Sequence, residues 1–142
     1  MKRVYLVRHG ESQAQTCKSR GLDRRDPSLR DCGLTAAGEA QARDLSLPSA
    51  DLVVTSPLAR AIATARLAMP GSMLVVHPAA TERGRGVPEN MPSTMDPTAD
   101  DLDTGLLPMG WPGVAPTDPE ELVAWLASRP ERTVVVFTHY NT

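Results

Sequence analysis

Aromatic side chains, histidine, cysteine and long apolar runs are all scarce in this chain of 142 residues. Aromatic residues make up 4% of it, so the core has to be built from Val, Leu, Ile, Met and Ala. No apolar run approaches the roughly 18 residues of a membrane-spanning helix, so we expect no membrane partner. An excess of positive charge is also missing, since 15 Lys and Arg stand against 17 Asp and Glu. The net charge of −2 argues against a nucleic-acid partner.

The remaining composition is that of an ordinary globular domain. Hydrophobic residues make up 41% and charged residues 23%, and the length predicts one domain over residues 1–142. The first residues do not resemble a signal peptide, because their apolar stretch is shorter than the roughly 7–15 residues such a segment needs. Cys17 and Cys32 form no CxxC pair, which disfavours a zinc site. We interpret them as reduced thiols rather than a disulfide, and we expect a cytoplasmic protein.

Positive charge is concentrated near the start of the chain and is carried mainly by arginine. Residues 1–30 hold eight of the fifteen basic residues and three acidic ones, whereas residues 86–142 hold two basic and nine acidic ones. Thirteen of the fifteen are arginine, whose planar fork suits phosphate and carboxylate better than the ammonium of lysine does. An arginine-rich composition also arises from a GC-rich genome, so this bias alone does not establish a phosphate site.

Short apolar runs alternate along the chain with helical patterns. The predicted strands are residues 4–7, 51–55, 73–76 and 133–137. Helices are predicted from an N-cap at Thr35 to about residue 47, from Pro57 to 68, and from an N-cap at Asp118 to 127. Residues 77–117, rich in Pro and Gly, form a long loop or a small cap. This alternation predicts an α/β fold, a three-layer α/β/α sandwich around a mostly parallel sheet.

Two of the three histidines, His9 and His139, lie one or two residues beyond the carboxyl ends of predicted strands. Ligands of open α/β sheets bind at the carboxyl ends of strands, so the two share a crevice if their strands are parallel neighbours. Otherwise they are unrelated surface histidines. Arg8 and Arg60 also follow strands and could bind a phosphoryl group through bidentate hydrogen bonds. Their charge would favour neutral imidazole, the form that a nucleophile needs, and Gly10 would let the backbone approach an anion.

Four segments together resemble the signatures of one family. They are VRHGES at 7–12, LTAAGEAQA at 34–42, TSPLARAIATA at 55–65 and VVVFTH at 134–139. In this order they resemble the histidine phosphatase superfamily, also called the phosphoglycerate-mutase-like family, over nearly the whole chain. The resemblance implies hydrolysis of phosphomonoesters through a phosphohistidine, on a small phosphorylated substrate and without a metal or other cofactor.

The resemblance also assigns roles to individual residues. It implies that His9 attacks phosphorus while Arg8, Arg60 and His139 surround the phosphate and stabilise its charge. Glu82 is the best match for the general acid. The weaker candidates for this role are Glu89, Asp96 and the acidic cluster at 100–103. The residues implied in substrate binding are Gly10, Glu11, Ser12 and Gln15, the last at a position where many members carry Asn.

Two departures from the family qualify this interpretation. Only 56 residues, rich in proline, separate Glu82 from His139, which favours a small phosphatase over a mutase. The chain stops three residues after His139, where family members usually continue with a helix and a strand. Apolar surface or an open strand edge is expected without them. Either the chain is a shortened form, or another surface, such as a second copy of the chain, covers this region.

Three other functions remain open from the sequence. The first is a phosphoglycerate-mutase-type transfer, and the second is a phosphate-binding protein that has lost activity. The third is a zinc hydrolase using His9 and Glu11 as an H-x-E motif, but it lacks the P-C-x-x-C partner that such a site needs. We expect a metal-independent phosphomonoesterase.

Overall fold

A computed structural model describes residues 1–81, 87–92, 95–109, 111 and 118–139. Five strands form one sheet in the order β1-β5-β2-β3-β4, and every described pair is parallel. The strands are β1 Arg3–Arg8, β2 Leu52–Thr55, β3 Leu74–Val76, β4 Leu102–Asp103 and β5 Thr133–Thr138. Because all run the same way, the residues that follow them gather at one edge of the sheet.

Helices cover both faces of this sheet. They are α1 Ala36–Arg43, α2 Ala59–Ala68 and α3 Pro119–Ser128. On one face, Ile62 and Ala65 of α2 pack on Val53, Val135 and Phe137, and α1 packs against α2. On the other face, Leu122 and Leu126 of α3 pack on Val54, Val134 and Val136. The predicted three-layer sandwich is confirmed, with a core built mainly from aliphatic side chains.

Two of the three predicted helix starts are confirmed. The Thr35 hydroxyl accepts from the Gly38 amide, and the Asp118 carboxylate accepts from the Glu120 amide. The prediction for Pro57 was wrong, because α2 begins at Ala59 and its N-cap, Leu58, makes no side-chain cap bond. Helix α1 also ends earlier than expected, at Arg43 rather than near residue 47.

The segment 77–117 was predicted to be irregular, but it contains strand β4. The pattern missed this strand because it is only two residues long. The Leu74 amide donates to the Asp101 carbonyl, and the Asp101 carboxylate pairs with Arg66 in the last turn of α2. Asp101 therefore lies at the amino end of β3, on the side of the sheet away from His9. This placement does not support Asp101, one member of the acidic cluster at 100–103, as the general acid.

Strand β1 lies at one edge of the described sheet, and one of its faces is open. Val4 is 40% exposed and Leu6 is 69% exposed. Their partners in the register, Val134 and Val136, lie under α3. Val4 and Leu6 thus form exposed apolar surface on the face of β1. Among the helices that the structure describes, none is long and apolar enough to cross a membrane.

Candidate active site

The strand order brings the two predicted histidines together. Arg8 of β1 is in register with Thr138 of β5, so the residues that follow them, His9 and His139, are neighbours. Their ring centroids are 5.2 Å apart, and the His9 amide donates to the Thr138 carbonyl at 3.2 Å. Both side chains are buried. The prediction that the two histidines lie together at the carboxyl edge of the sheet is confirmed.

Hydrogen bonds determine which nitrogen of His9 carries the proton. Nδ1 lies 2.6 Å from the carbonyl oxygen of Gly10, and since a carbonyl only accepts, Nδ1 carries the hydrogen. On the other side of the ring, Nε of Arg60 donates to Nε2 of His9 at 3.2 Å. Arginine is only a donor, so Nε2 presents its lone pair. The ring is therefore held as the neutral tautomer with an unprotonated Nε2.

Burial is the main cause of this neutral state. The pKa of His9 is lowered to about 4, mainly by burial; the hydrogen bond to Gly10 raises it in part, and the charges of Arg60 and Arg8 contribute to the lowering. The pKa of His139 is lowered to about 2 by burial as the largest cause, together with the charges of Arg60, His9 and Arg8. The sequence predicted the neutral form from the arginines alone. The direction is confirmed, but desolvation contributes more than the cations do.

Arg60 is the central cation of the cluster and is 2% exposed. Besides its bond to His9, Nη1 donates to the Glu89 carbonyl at 2.5 Å and Nη2 donates to Oδ1 of Asn90 at 2.6 Å. Both acceptors belong to the 3-10 turn Pro88–Asn90. The guanidinium is thus held at three nitrogens, by His9 on one side and by this turn on the other.

Glu89, a weaker candidate for the general acid, lies beside this cluster. Its buried carboxylate accepts from Nε of Arg24 at 2.7 Å and from Nη2 at 3.4 Å. Both oxygens are engaged by one guanidinium, so a proton-donor role would have to break this pair. The preferred candidate, Glu82, lies outside the described residues, and its role stays a prediction.

Ser56 joins the site, although the sequence analysis did not select it. Its Oγ lies 2.8 Å from Nε2 of His139 and accepts from the Leu58 amide at 3.1 Å. Ser56 directly follows β2, the strand beside β5, and this position at the carboxyl edge was the available signal. It fixes the orientation of the second imidazole.

At Gly10 the structure shows a close backbone contact that the sequence analysis did not predict. A Cβ on Gly10 would overlap the carbonyl group of Gly38 in α1, and a Cβ on Gly38 would overlap the backbone of Glu11. The Gly10 amide donates to Oγ1 of Thr64 at 3.0 Å, and the approach of this backbone to an anion stays a prediction. The two motif glycines therefore let the loop after β1 pack directly on the first turn of α1.

Three other predicted substrate-binding residues make local contacts. The Glu11 carboxylate accepts from the Thr35 hydroxyl at 2.7 Å. Ser12 and Gln15 form a reciprocal capping box, in which each side chain accepts from the other's backbone amide. The Gln15 residue is exposed, as is Arg8, whose charge still lowers the pKa of both histidines. The roles of these residues toward a substrate stay predictions.

The geometry does not support the zinc alternative. The Glu11 carboxylate is bound to Thr35, while Nε2 of His9 faces Arg60, so the two are not arranged around one ion. Within the described ranges, no group of three His, Cys, Asp or Glu side chains could hold a metal.

Comparison with solved structures finds similar folds in proteins from several organisms. An Escherichia coli protein proposed to be an alpha-ribazole-5'-P phosphatase aligns with a TM-score of 0.61 and 26% identity, covering 97% of this chain and 73% of the other. A phosphoglycerate mutase from Thermus thermophilus aligns with a TM-score of 0.56 and 31% identity, covering 97% and 78%. A phosphoserine phosphatase from Entamoeba histolytica, at 19% identity, covers 98% and 74% with a TM-score of 0.58 and supports the fold alone.

Comparison with sequence families identifies the family of the chain. No curated protein sequence matches the chain significantly. The family model of the histidine phosphatase superfamily (branch 1) matches residues 4–142. This range includes every residue of the cluster around Arg60. The chain therefore belongs to the histidine phosphatase superfamily.

Proposed function

We propose that the chain hydrolyses phosphomonoesters through a covalent phosphohistidine on Nε2 of His9. The observation that carries this proposal is the neutral, buried imidazole whose unprotonated Nε2 lies against the guanidinium of Arg60. A nucleophile needs a free lone pair, and a phosphoryl group needs fixed donors around its oxygens. Here the two lie 3.2 Å apart.

The first step transfers the phosphoryl group to the enzyme. The lone pair of Nε2 forms a bond to phosphorus, and the bond between phosphorus and the ester oxygen breaks. The leaving oxygen takes a proton from a carboxylic acid, for which Glu82 is the candidate. In the free protein, the Arg60 Nε–H donates to Nε2. Once Nε2 bonds to phosphorus, this N–H is available to a phosphoryl oxygen, so the negative charge on that oxygen meets a donor that is already in place.

The second step releases the phosphate. A water oxygen attacks phosphorus, its proton returns to the carboxylate, and the bond between phosphorus and nitrogen breaks. The electron pair returns to Nε2, which restores the neutral imidazole. The Gly10 carbonyl holds the proton on Nδ1 throughout both steps, so the same nitrogen is the nucleophile in every cycle.

His139 would respond to the charge of the substrate. In the free protein, burial and three nearby cationic or potentially cationic groups lower its pKa to about 2. A phosphate dianion in the crevice opposes these effects, because a nearby negative charge favours the protonated ring. His139 thus adds a donor at the moment when negative charge enters the site, with Ser56 fixing its orientation.

A mutase is the second candidate, and the similarity to the Thermus thermophilus phosphoglycerate mutase favours it. Both reactions share the phosphohistidine and differ only in the second acceptor, which is water in one and another alcohol in the other. The few residues between Glu82 and His139 favour the phosphatase. Phosphate release that is unchanged by added phosphoglycerates would support hydrolysis, whereas net transfer to a phosphoglycerate would support the mutase.

The test is a phosphate-release screen against a panel of small phosphomonoesters, with His9→Ala as the diagnostic variant. We expect His9→Ala to lose at least about 10⁴-fold in kcat, in the range that loss of a nucleophile causes elsewhere. The matched control is His77→Asn, a substitution of another buried histidine at the same edge, which should retain activity. The wild-type protein should also yield an acid-labile phosphoenzyme that His9→Ala lacks. Turnover in His9→Ala equal to that of the wild type would overturn the mechanism.

A further inference from the structure

Asp31 combines two features that are unusual for an aspartate. Its residue is 2% exposed, although aspartate is almost never fully buried unless it is paired. Its backbone has φ of +44°, the only positive φ of a non-glycine residue in the part of the chain described. Aspartate tolerates this left-handed region better than most residues do, but it is still uncommon there. A buried carboxylate on such a backbone needs a structural or functional reason.

The carboxylate of Asp31 caps helix α2 from a distant loop. Oδ1 accepts from the amide of Ala59 at 2.8 Å. The helix needs this cap, because its own N-cap residue is Leu58, which has no oxygen to offer. A carboxylate also interacts favourably with the positive end of the helix dipole. Arg60 directly follows Ala59, so this cap fixes the backbone from which the Arg60 side chain extends.

The backbone of Asp31 holds the other support of Arg60. Its amide donates to the carbonyl of Pro88 at 3.0 Å. Pro88 begins the turn whose next two residues accept from the two terminal nitrogens of Arg60. Asp31 therefore contacts both segments that define where this guanidinium lies: the first turn of α2 and the turn Pro88–Asn90.

We propose that Asp31 is a positioning residue that sets the guanidinium of Arg60 for phosphate binding. It acts through α2 and the turn Pro88–Asn90, which it holds by its carboxylate and its backbone amide respectively. The inference rests on the proposed function only in taking a phosphate group as the ligand of Arg60. It adds that the buried side-chain oxygen and the left-handed backbone of Asp31 are retained for the sake of this site.

Three variants separate the parts of the proposal. Asp31→Gly accepts the positive φ but removes the cap, and Asp31→Asn retains a cap oxygen and tolerates this φ. We expect Asp31→Gly to lower kcat/KM by about 10- to 100-fold, the cost of a misplaced catalytic group, while Asp31→Asn stays close to wild type. The control is Asp26→Gly, which removes a similar cap from Ser28 in the same loop and should leave activity nearly unchanged.

The decisive measurement is the affinity for inorganic phosphate, because binding needs no turnover. In the wild-type background we expect Asp31→Gly to weaken phosphate binding by about tenfold, the value of one charge-assisted hydrogen bond. In an Arg60→Ala background the same substitution should have little effect, since the cation it positions is absent. A purely structural role would weaken binding equally in both backgrounds, and that result would overturn the proposal.

The remaining outcomes also decide. Phosphate binding by Asp31→Gly equal to that of the wild type overturns the proposal. If circular dichroism shows that Asp31→Gly is not folded, phosphate binding is measured instead for Asp31→Ser in the same two backgrounds. The serine side chain is shorter, so its oxygen lies farther from the Ala59 amide. Failure of the proposed hydrolysis is seen separately, as absence of phosphate release despite intact phosphate binding. In that case the phosphate-binding measurements in the two backgrounds still test the role of Asp31 independently of hydrolysis.

Discussion

His9 and His77 occupy comparable places in the fold, one directly after β1 and the other directly after β3, and both are buried. Their hydrogen bonds are opposite. Nδ1 of His77 accepts from the Ala79 amide at 3.0 Å, so its proton lies on Nε2. Nδ1 of His9 instead carries its proton toward the Gly10 carbonyl and leaves Nε2 as the lone pair. The unprotonated nitrogen of His77, Nδ1, caps a turn, whereas the unprotonated nitrogen of His9, Nε2, faces the guanidinium of Arg60.

The surroundings of the two rings differ as much as their tautomers do. His77 packs on Trp125 of α3, with ring centroids 4.9 Å apart, and burial alone lowers its pKa. The pKa of His9 is lowered by burial and also by Arg60 and Arg8. Burial at the end of a strand therefore keeps a histidine neutral, but it does not make a nucleophile. The orientation of the lone pair and the adjacent guanidinium distinguish the site.

Removing Arg60 should give the largest change among the tests of this comparison. We expect Arg60→Ala to lower kcat by about 10²- to 10³-fold, the usual cost of losing one preorganised donor to a developing charge. It should also raise the pKa of His9, because a cation and part of the burial are lost, while the pKa of His77 stays unchanged. Steady-state kinetics and NMR titration of the ring protons measure both effects. An equal rise at both histidines would show a general loosening of the fold instead.

Acid stability should depend on the feature that the histidines share, which is burial. The unfolded chain protonates its histidines below about pH 6.5, whereas folded His9 stays neutral down to about pH 4. The unfolded state then binds more protons, so stability is lost as the pH falls from about 6.5 to 4, by up to about 1.4 kcal/mol per pH unit for His9.

Urea denaturation between pH 7 and pH 5 measures this loss. His9→Asn should make the dependence on pH shallower, and His77→Asn should do so as well, because the pKa of each histidine is lowered in the folded state. The two variants should differ in activity, because His9→Asn should lose phosphate release and His77→Asn should retain it. A steeper dependence in either variant would contradict the stated direction of the pKa shift.

The smallest expected effect concerns the support beneath His9. Gly38→Ala places a methyl group against the backbone of Glu11 and should lower the unfolding free energy by about 1–3 kcal/mol, typical of overpacking. The control is Gly33→Ala, because nothing lies within 4 Å of a Cβ at that position. In Gly38→Ala, the NMR signals of the His9 ring should shift while those of His77 do not. Equal stability of the two variants would rule out this close packing.

Most of the secondary structure could be predicted because its signals are local. The apolar runs ending at Val7, Thr55 and Phe137 lie in strands, and the caps at Thr35 and Asp118 act on amides two or three residues away. The start of α2 could not be found in this way. Its cap comes from Asp31, 28 residues earlier in the chain, and no pattern around Leu58 records that contact.

The sequence predicted the main residues of the candidate site but not the residues that hold them in place. His9, His139 and Arg60 were identified from their positions after strands and from the family motifs, and the structure brings them together. Ser56, Asn90 and Asp31 were not selected, because each acts through a partner that is distant in sequence. Burial as the main cause of the lowered histidine pKa values was missed for the same reason.

By itself the sequence determined the alternation of strands and helices, the family, and the presence of two histidines and an arginine at strand ends. These depend on residues within a few positions of one another, where periodicity, capping and motif spacing apply. Only the tertiary structure decided that β5 lies beside β1, that His9 presents Nε2 while His77 does not, and that Asp31 holds both supports of Arg60. Desolvation and hydrogen bonds between distant segments arise only when the layers pack, so local sequence cannot specify them.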